Sequence, residues 1–232
     1  MTAIGTLLAV VAALFIAVFQ DWLRSIFSRP NLEVTVSLSP PYCHKTIAYL
    51  TSPPITSELG KRIYGEGLQA DCYYFRLRIR NAGNVRAENV EVYAAELAKQ
   101  TASGSFQLVE SFLPMNFVWS HIRTTYIPAI SPKMEKLCDL GHIIDPQKRG
   151  KFFSDNNPLL DVPAGQTTFS FDLEVIASTL SHIISPGKYR LKIIVGSANS
   201  RPNEKVLEIN LPGKWYDNER KMLAEGISIS II

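Results

Sequence analysis

The chain has no long run of like charge and little excess of either sign. It carries 24 lysines and arginines against 21 aspartates and glutamates in 232 residues, which gives a net charge of +3. Three basic residues fall within four positions only at 148–151, and a run this short is typical of a solvated loop. This balance does not provide the basic surface that nucleic-acid binding needs, so we expect no nucleic-acid partner.

Cysteine is also scarce. The three residues of this type are Cys43, Cys72 and Cys138. An odd number at irregular spacing does not make a disulfide framework, and free cysteine commonly behaves as a small buried hydrophobe. The cysteine count therefore favours a reducing compartment.

Recognisable catalytic motifs are missing from the sequence. It contains no G-x-S-x-G, no Walker loop and no G-x-G-x-x-G. The adjacent pairs Ser120-His121 and Ser181-His182 do not indicate a triad, because neighbouring residues of a strand point to opposite faces. We therefore expect a protein that is not an enzyme. The alternative is a hydrolase within residues 100–160, which alanine substitution at the histidines would test.

Zinc ligands occur only in weak spacing. Cys43-His44 and Cys138-x3-His142 supply sulfur and nitrogen ligands of the right type, but neither pair has the C-x2-C spacing of a strong signal. We expect no metal site and no cofactor.

Residues 3–19 read AIGTLLAVVAALFIAVF, without charge or proline. A bilayer core of about 30 Å requires about 20 helical residues, with a lower limit near 17. The run predicts an uncleaved transmembrane helix, which with a short amphipathic extension occupies residues 1–29. The expected anchor side chains are Leu7, Leu8, Leu14, Phe15 and Phe19, with Trp22 at the interface.

Two other interpretations of this run are a cleaved signal peptide and a buried core helix. The signal peptide lacks a basic n-region and a small-x-small cleavage site. Arg24 and Arg29 follow the run and no basic residue precedes it, so the positive-inside rule places the C-terminal domain in the cytoplasm. Gly5 and Ala9 give small-xxx-small spacing, which would allow the helices to self-associate.

Beyond Pro30 the hydrophobic period becomes two, which predicts β-strands. Within residues 73–80, apolar side chains alternate with Arg76, Arg78 and Arg80. These arginines, with the loop aromatics Trp119 and Tyr126, form a candidate binding face for an anion or acidic partner. The alternative is a solvated strand face, with the loop aromatics packed as core plugs.

The pattern Leu77-x-Ile79-x-Asn81-x-Gly83-x3-Ala87-x-Asn89-Val90-x-Val92 resembles immunoglobulin-like bacterial domains of the CARDB type. In that family pattern the Asn and Gly shape a loop between strands, and the small Ala fills the end of the sandwich. Residues 162–175, 186–195 and 207–211 look like later strands of such a domain. The resemblance covers about residues 32–97 and 160–212, and it implies a binding or spacer module.

The predicted fold class is therefore all-β. We expect an immunoglobulin-like antiparallel β-sandwich over residues 30–232, with a long central insertion at about 100–160 and a short helix at about 214–225. A final strand at 227–232 should pair into a sheet, because an exposed apolar strand is an aggregation hazard.

The function that this architecture favours is protein recognition or scaffolding by a single-pass membrane protein of the cell membrane. Its partners would be the lipid bilayer and another protein. The alternative is a membrane effector whose sandwich senses a ligand and whose anchor helices cluster to perturb the bilayer. Loss of triggered toxicity on Gly5→Leu or Ala9→Leu would favour that alternative.

Overall fold

The computed structural model describes residues 2–27, 29–50, 55–56, 62–63, 68–149, 162–163 and 165–232. One N-terminal helix precedes a body of antiparallel strands. The elements are α1 (Thr2–Phe27), β1 (Leu32–Val36), β2 (Cys43–Leu50), β3 (Ile55–Thr56), β4 (Arg62–Ile63), β5 (Leu68–Asn81), β6 (Ala87–Gln100), β7 (Phe106–Leu108), β8 (Met115–Asn116), β9 (Tyr126–Ile130), β10 (Glu135–Ile144), β11 (Phe169–Phe171), β12 (Ile183–Ile184), β13 (Gly187–Ser197), β14 (Ser200–Leu211) and β15 (Ser228–Ile231).

The first sheet is organised around β5. One edge of β5 pairs with β10, which is followed in the sheet by β11 and β12. The other edge carries two strands in line, since β2 pairs with the first half of β5 and β1 with the second half. A β-bulge in β10, between Asp139 and Gly141, shifts the alternation of side chains beyond it.

The second sheet has the order β15, β14, β13, β6. Three short strands, β9, β8 and β7, lie in line along the free edge of β6. The pair β13 and β14 forms a long hairpin. β15 pairs with β14, so the prediction of a final paired strand is confirmed.

One hydrophobic core joins the inner faces of the two sheets, and the chain is a β-sandwich. β5 contributes Tyr73, Phe75, Leu77 and Ile79, each no more than 1% exposed. The chain passes from β5 in the first sheet to β6 in the second through residues 82–86.

The prediction of an insertion at about 100–160 is wrong for the part that the structure describes. β7, β8 and β9 pair with β6, and β10 pairs with β5, so these strands belong to the two sheets. The sequence did not show this because their partners are strands up to about 70 residues away, and local periodicity does not encode pairing over such separations. Residues 150–161 lie outside the described residues.

The helix predicted at about 214–225 is shorter than expected. A helical turn at Glu219–Lys221 continues into a π-helical turn at Met222–Gly226. Trp215 instead packs its ring edge-on against Tyr73, at 5.1 Å between ring centroids. The tertiary contact of Trp215 keeps the first part of the predicted helix in irregular structure.

The N-terminal segment forms α1, and among its described side chains Leu14, Phe15 and Phe19 are exposed. The side chains of Leu7, Leu8 and Trp22, which we predicted to anchor the chain, lie outside the described set. Among the described residues, no helix has the length and apolar character needed to cross a bilayer. The transmembrane prediction is therefore not confirmed.

Candidate functional site

The outer face of the first sheet carries polar side chains that are partly buried and joined by hydrogen bonds or ion pairs. β5 places Tyr74, Arg76, Arg78 and Arg80 on this face, because its inner face supplies the core. The predicted alternation on β5 is confirmed. We call this surface the outer face of the first sheet, and its arginines the arginine row.

Arg76 is held in a partly buried ion pair. Its Nε donates to Oδ1 of Asp139 on the neighbouring strand at 3.1 Å, and both side chains are 14% exposed. The hydroxyl of Ser120 donates to the same oxygen at 2.5 Å. These charge-assisted hydrogen bonds neutralise the charge of Arg76 and hold the loop that follows Trp119 in place. Arg76 therefore has a structural role.

Arg78 lines a depression in the outer face. Its Nε donates to Oγ1 of Thr35 at 2.9 Å, and its guanidinium lies 5.5 Å from the ring centroid of Tyr42. Nη1 lies 3.5 Å from Oε2 of Glu135 in a half-exposed ion pair. The depression has a volume of about 230 Å³ and is lined by Thr35, Val36, Ser37, Tyr42 and Arg78.

Arg80 stands next to this depression and is exposed. In the sheet register it lies between Glu33 of β1 and Glu135 of β10. Over the described ranges its guanidinium has no hydrogen bond or ion pair. Arg78 and Arg80 are therefore the two members of the arginine row that a partner can reach.

Trp119 and Tyr126 do not join the arginine row. Trp119 is fully buried and forms an isolated bridge with Cys138, so the prediction that it belongs to a binding face is wrong. A large aromatic residue in a loop can fill the core as readily as it can line a surface. Tyr126 is exposed, but it lies on β9 opposite Glu91 in the second sheet.

A second polar cluster, missed from the sequence, lies on the same sheet around Asp172. Nδ1 of His142 and Oδ1 of Asp172 are 2.9 Å apart, and the ring of His142 packs against Tyr74 at 5.3 Å between centroids. The other carboxylate oxygen of Asp172 is buried without a hydrogen-bond partner, and so is Nδ1 of His182. We call Tyr74, His142, Asp172 and His182 the histidine cluster.

The environment shifts the pKa of two members of the histidine cluster. Burial is the main cause that lowers the pKa of His182, and the neighbouring His142 lowers it further. Burial also raises the pKa of Tyr74, with a contribution from the charge of Asp172. Both groups are therefore neutral at pH 7.

His44 lies in a comparable environment near Arg76. Its Nδ1 lies 3.5 Å from Nη1 of Arg76. Burial lowers the pKa of His44, and the charges of Arg76 and His121 lower it further.

The zinc ligands that the sequence suggested do not meet. Cys43 and Cys138 are fully buried in the core, whereas His142 lies across from Tyr74 on the outer face. A spacing of four would put Cys138 and His142 on one face of a regular strand, but the bulge in β10 reverses the alternation between them. Within the described ranges, no group of three His, Cys, Asp or Glu residues is placed to hold a metal ion.

The histidine cluster left only a partial signal in the sequence. Asp172 stands between the buried residues Phe171 and Leu173, which marks it as outward-facing. Nothing in the local pattern shows that β10 and β11 are neighbours, so the contact between His142 and Asp172 required the tertiary structure.

Comparisons of the chain with protein-family models, with curated proteins and with solved structures gave no match.

Proposed function

We propose that this chain is a membrane-anchored β-sandwich that recognises another protein, with its C-terminal body in the cytoplasm. The observation that carries the proposal is the exposure of apolar side chains on α1. Val10, Val11, Leu14, Phe15, Ile16 and Val18 are each more than half exposed. Contiguous apolar surface is costly in water, and a bilayer would cover it.

Topology supports an immunoglobulin-like sandwich. In the first sheet β5 lies between β1 and β10, and in the second β13 lies between β6 and β14. This corresponds to the A-B-E and C-F-G neighbours of the immunoglobulin fold, with the crossover from β5 to β6 as the B–C connection. The CARDB resemblance agrees with this order and remains part of the proposal.

Two features support the cytoplasmic side. Cys43, Cys72 and Cys138 are free thiols, which reducing compartments maintain. Arg24 and Arg29 follow the apolar run, as expected for the side that stays in the cytoplasm.

The recognition surface is the part of the outer face around Arg78 and Arg80. A planar guanidinium beside the hydroxyl groups of Thr35, Ser37 and Tyr42 suits a carboxylate. We therefore propose that the partner presents an acidic segment, whose carboxylates compete with Glu135 for Arg78 and bind the free guanidinium of Arg80. Anchoring would raise the effective concentration of this surface near other membrane proteins.

The anchor is tested by fractionation of cells that express the full chain. We expect the chain to stay with membranes after a carbonate wash, and the double variant Leu14→Asp and Val18→Asp to be released. The matched control is Leu108→Asp, which adds a charge at a similarly exposed leucine of the body. Release of the unchanged chain by carbonate would refute anchoring.

Recognition is tested separately by capture of partners from solubilised membranes. We expect a protein captured by the unchanged chain to be lost with Arg78→Ala and Arg80→Ala combined, and kept with Arg86→Ala, another exposed arginine. Equal capture by all three chains would remove the arginine row from the proposal and leave the anchor untouched.

A further inference from the structure

A cavity lies between the two sheets, at the end of the sandwich where β6 ends opposite β12. Its volume is about 310 Å³, at the lower limit for small-molecule sites. The floor is the buried end of the core, formed by Leu97, Ile184 and Tyr189, which are 2–3% exposed. The cavity is remote from the arginine row and has no part in the recognition proposed above.

The mouth of the cavity is polar, and Lys99 is the one cation among the described residues that line it. Lys99 follows Leu97 by two residues on the same face of β6, so its side chain extends past the apolar floor. Its Nζ donates to Oγ of Ser185 at 3.1 Å and lies 5.5 Å from the ring centroid of Tyr189. Oγ of Ser185 is also 3.0 Å from the hydroxyl of Tyr189.

These contacts fix the position of the Lys99 ammonium group and leave hydrogen-bond donors of that group free. An ammonium has three donors, and the contact with Ser185 takes one of them. No carboxylate pairs with Lys99 anywhere in the described part of the chain, although Lys188 and Lys192 of the same sheet are both ion-paired. Further hydroxyl groups line the cavity at Ser111, Thr179 and Ser181.

We propose that this cavity binds a small monocarboxylate with an apolar body. The carboxylate would accept hydrogen bonds from Lys99 and the nearby hydroxyl groups, and the apolar body would lie against Leu97 and Ile184. A single ammonium matches a single negative charge. A phosphate dianion would need more cationic donors than the described residues of the mouth supply.

The test uses the full chain in lipid nanodiscs and three six-carbon probes: hexanoate, hexan-1-ol and hexylamine. Titration calorimetry should show hexanoate binding about tenfold more tightly than hexan-1-ol, as one charge-assisted hydrogen bond allows, and hexylamine binding least. Empty nanodiscs correct for partition of the probes into lipid.

Two variants locate the site. Lys99→Met should weaken hexanoate about tenfold and leave hexan-1-ol unchanged, whereas Lys136→Met, at the opposite end of the sandwich, should change neither. Ser111→Trp, at an exposed position of the mouth, should block both probes. No hexanoate binding up to about 10 mM, or equal affinity for hexanoate and hexan-1-ol, would overturn the proposal.

Discussion

Nδ2 of Asn81 lies 3.0 Å from the carbonyl oxygen of Ile130 and donates a buried hydrogen bond to it. The same amide donates to the carbonyl oxygen of Val85, and its Oδ1 accepts from the backbone N–H groups of Gly83 and Asn31. One fully buried side chain thus joins the start of β1, the crossover loop and the end of β9.

Asn81→Ala should lower the free energy of unfolding by about 2–4 kcal/mol, because it leaves buried backbone groups without partners. Urea denaturation monitored by tryptophan fluorescence would measure the loss. Asn210→Ala, at an exposed position of β14, should change stability by less than about 0.5 kcal/mol. A similar effect of both substitutions would contradict the bridging function of Asn81.

Gly83→Ala should also destabilise the fold, by a steric route. An added Cβ would lie 2.4 Å from the carbonyl oxygen of Arg29 and 2.6 Å from the backbone N of Asn31, and backbone cannot move aside as a flexible side chain can. We expect a loss of about 1–3 kcal/mol. Gly196→Ala, where a Cβ meets nothing within 4 Å, should be neutral; thermal melting of both variants provides the comparison.

The partly buried pair of Arg76 and Asp139 should be sensitive to loss of one partner. Arg76→Ala leaves the partly buried Asp139 carboxylate with Ser120 as its one remaining side-chain donor among the described residues. We expect a loss of about 2–3 kcal/mol by urea denaturation. Arg80→Ala, which removes an exposed arginine from the same strand, should cost less than about 0.5 kcal/mol. Equal costs would show that the ion pair contributes nothing.

The three thiols should be inert in the native protein. Burial raises the pKa of Cys43 to about 12 and also raises the pKa of Cys72 and Cys138, so the reactive thiolate is scarce. At pH 8 a disulfide-exchange reagent should label none of them in the native chain and all three after denaturation. A Ser103→Cys variant, altered in an exposed turn, should react at once.

Because the native thiols do not react, the Ser103→Cys variant also tests on which side of the membrane the body lies. In intact cells a membrane-impermeant maleimide should leave Ser103→Cys unlabelled, and opening of the cells should permit labelling. Labelling before the cells are opened would refute the cytoplasmic placement of the body.

Acid should weaken the fold in the range where His182 titrates. The native state lowers the pKa of His182 from 6.5. Below about pH 6.5 the unfolded chain therefore binds more protons than the native chain, and the free energy of unfolding decreases as the pH is lowered. Above that pH both states are neutral and the effect vanishes. The slope contributed by one group cannot exceed about 1.4 kcal/mol per pH unit.

His182→Leu should flatten part of this acid dependence. His44, whose pKa is also lowered, would still contribute to the acid dependence of the variant. Urea denaturation at pH 7, 6 and 5 measures both slopes. An unchanged slope in the variant would mean that His182 does not titrate differently in the native and unfolded states.

The sequence by itself determined which side of β5 faces the core, since the alternation of Tyr73, Phe75, Leu77 and Ile79 with charged residues allows one orientation. It also indicated the loop after Asn81, because turn chemistry is local. The tertiary structure alone decided that residues 106–144 complete both sheets, that Trp119 is core, and that His142 meets Asp172. The physical reason is that a single bulge in β10 reverses which side chains face outward, and neither a bulge nor a pairing between distant strands is encoded in the period of one segment.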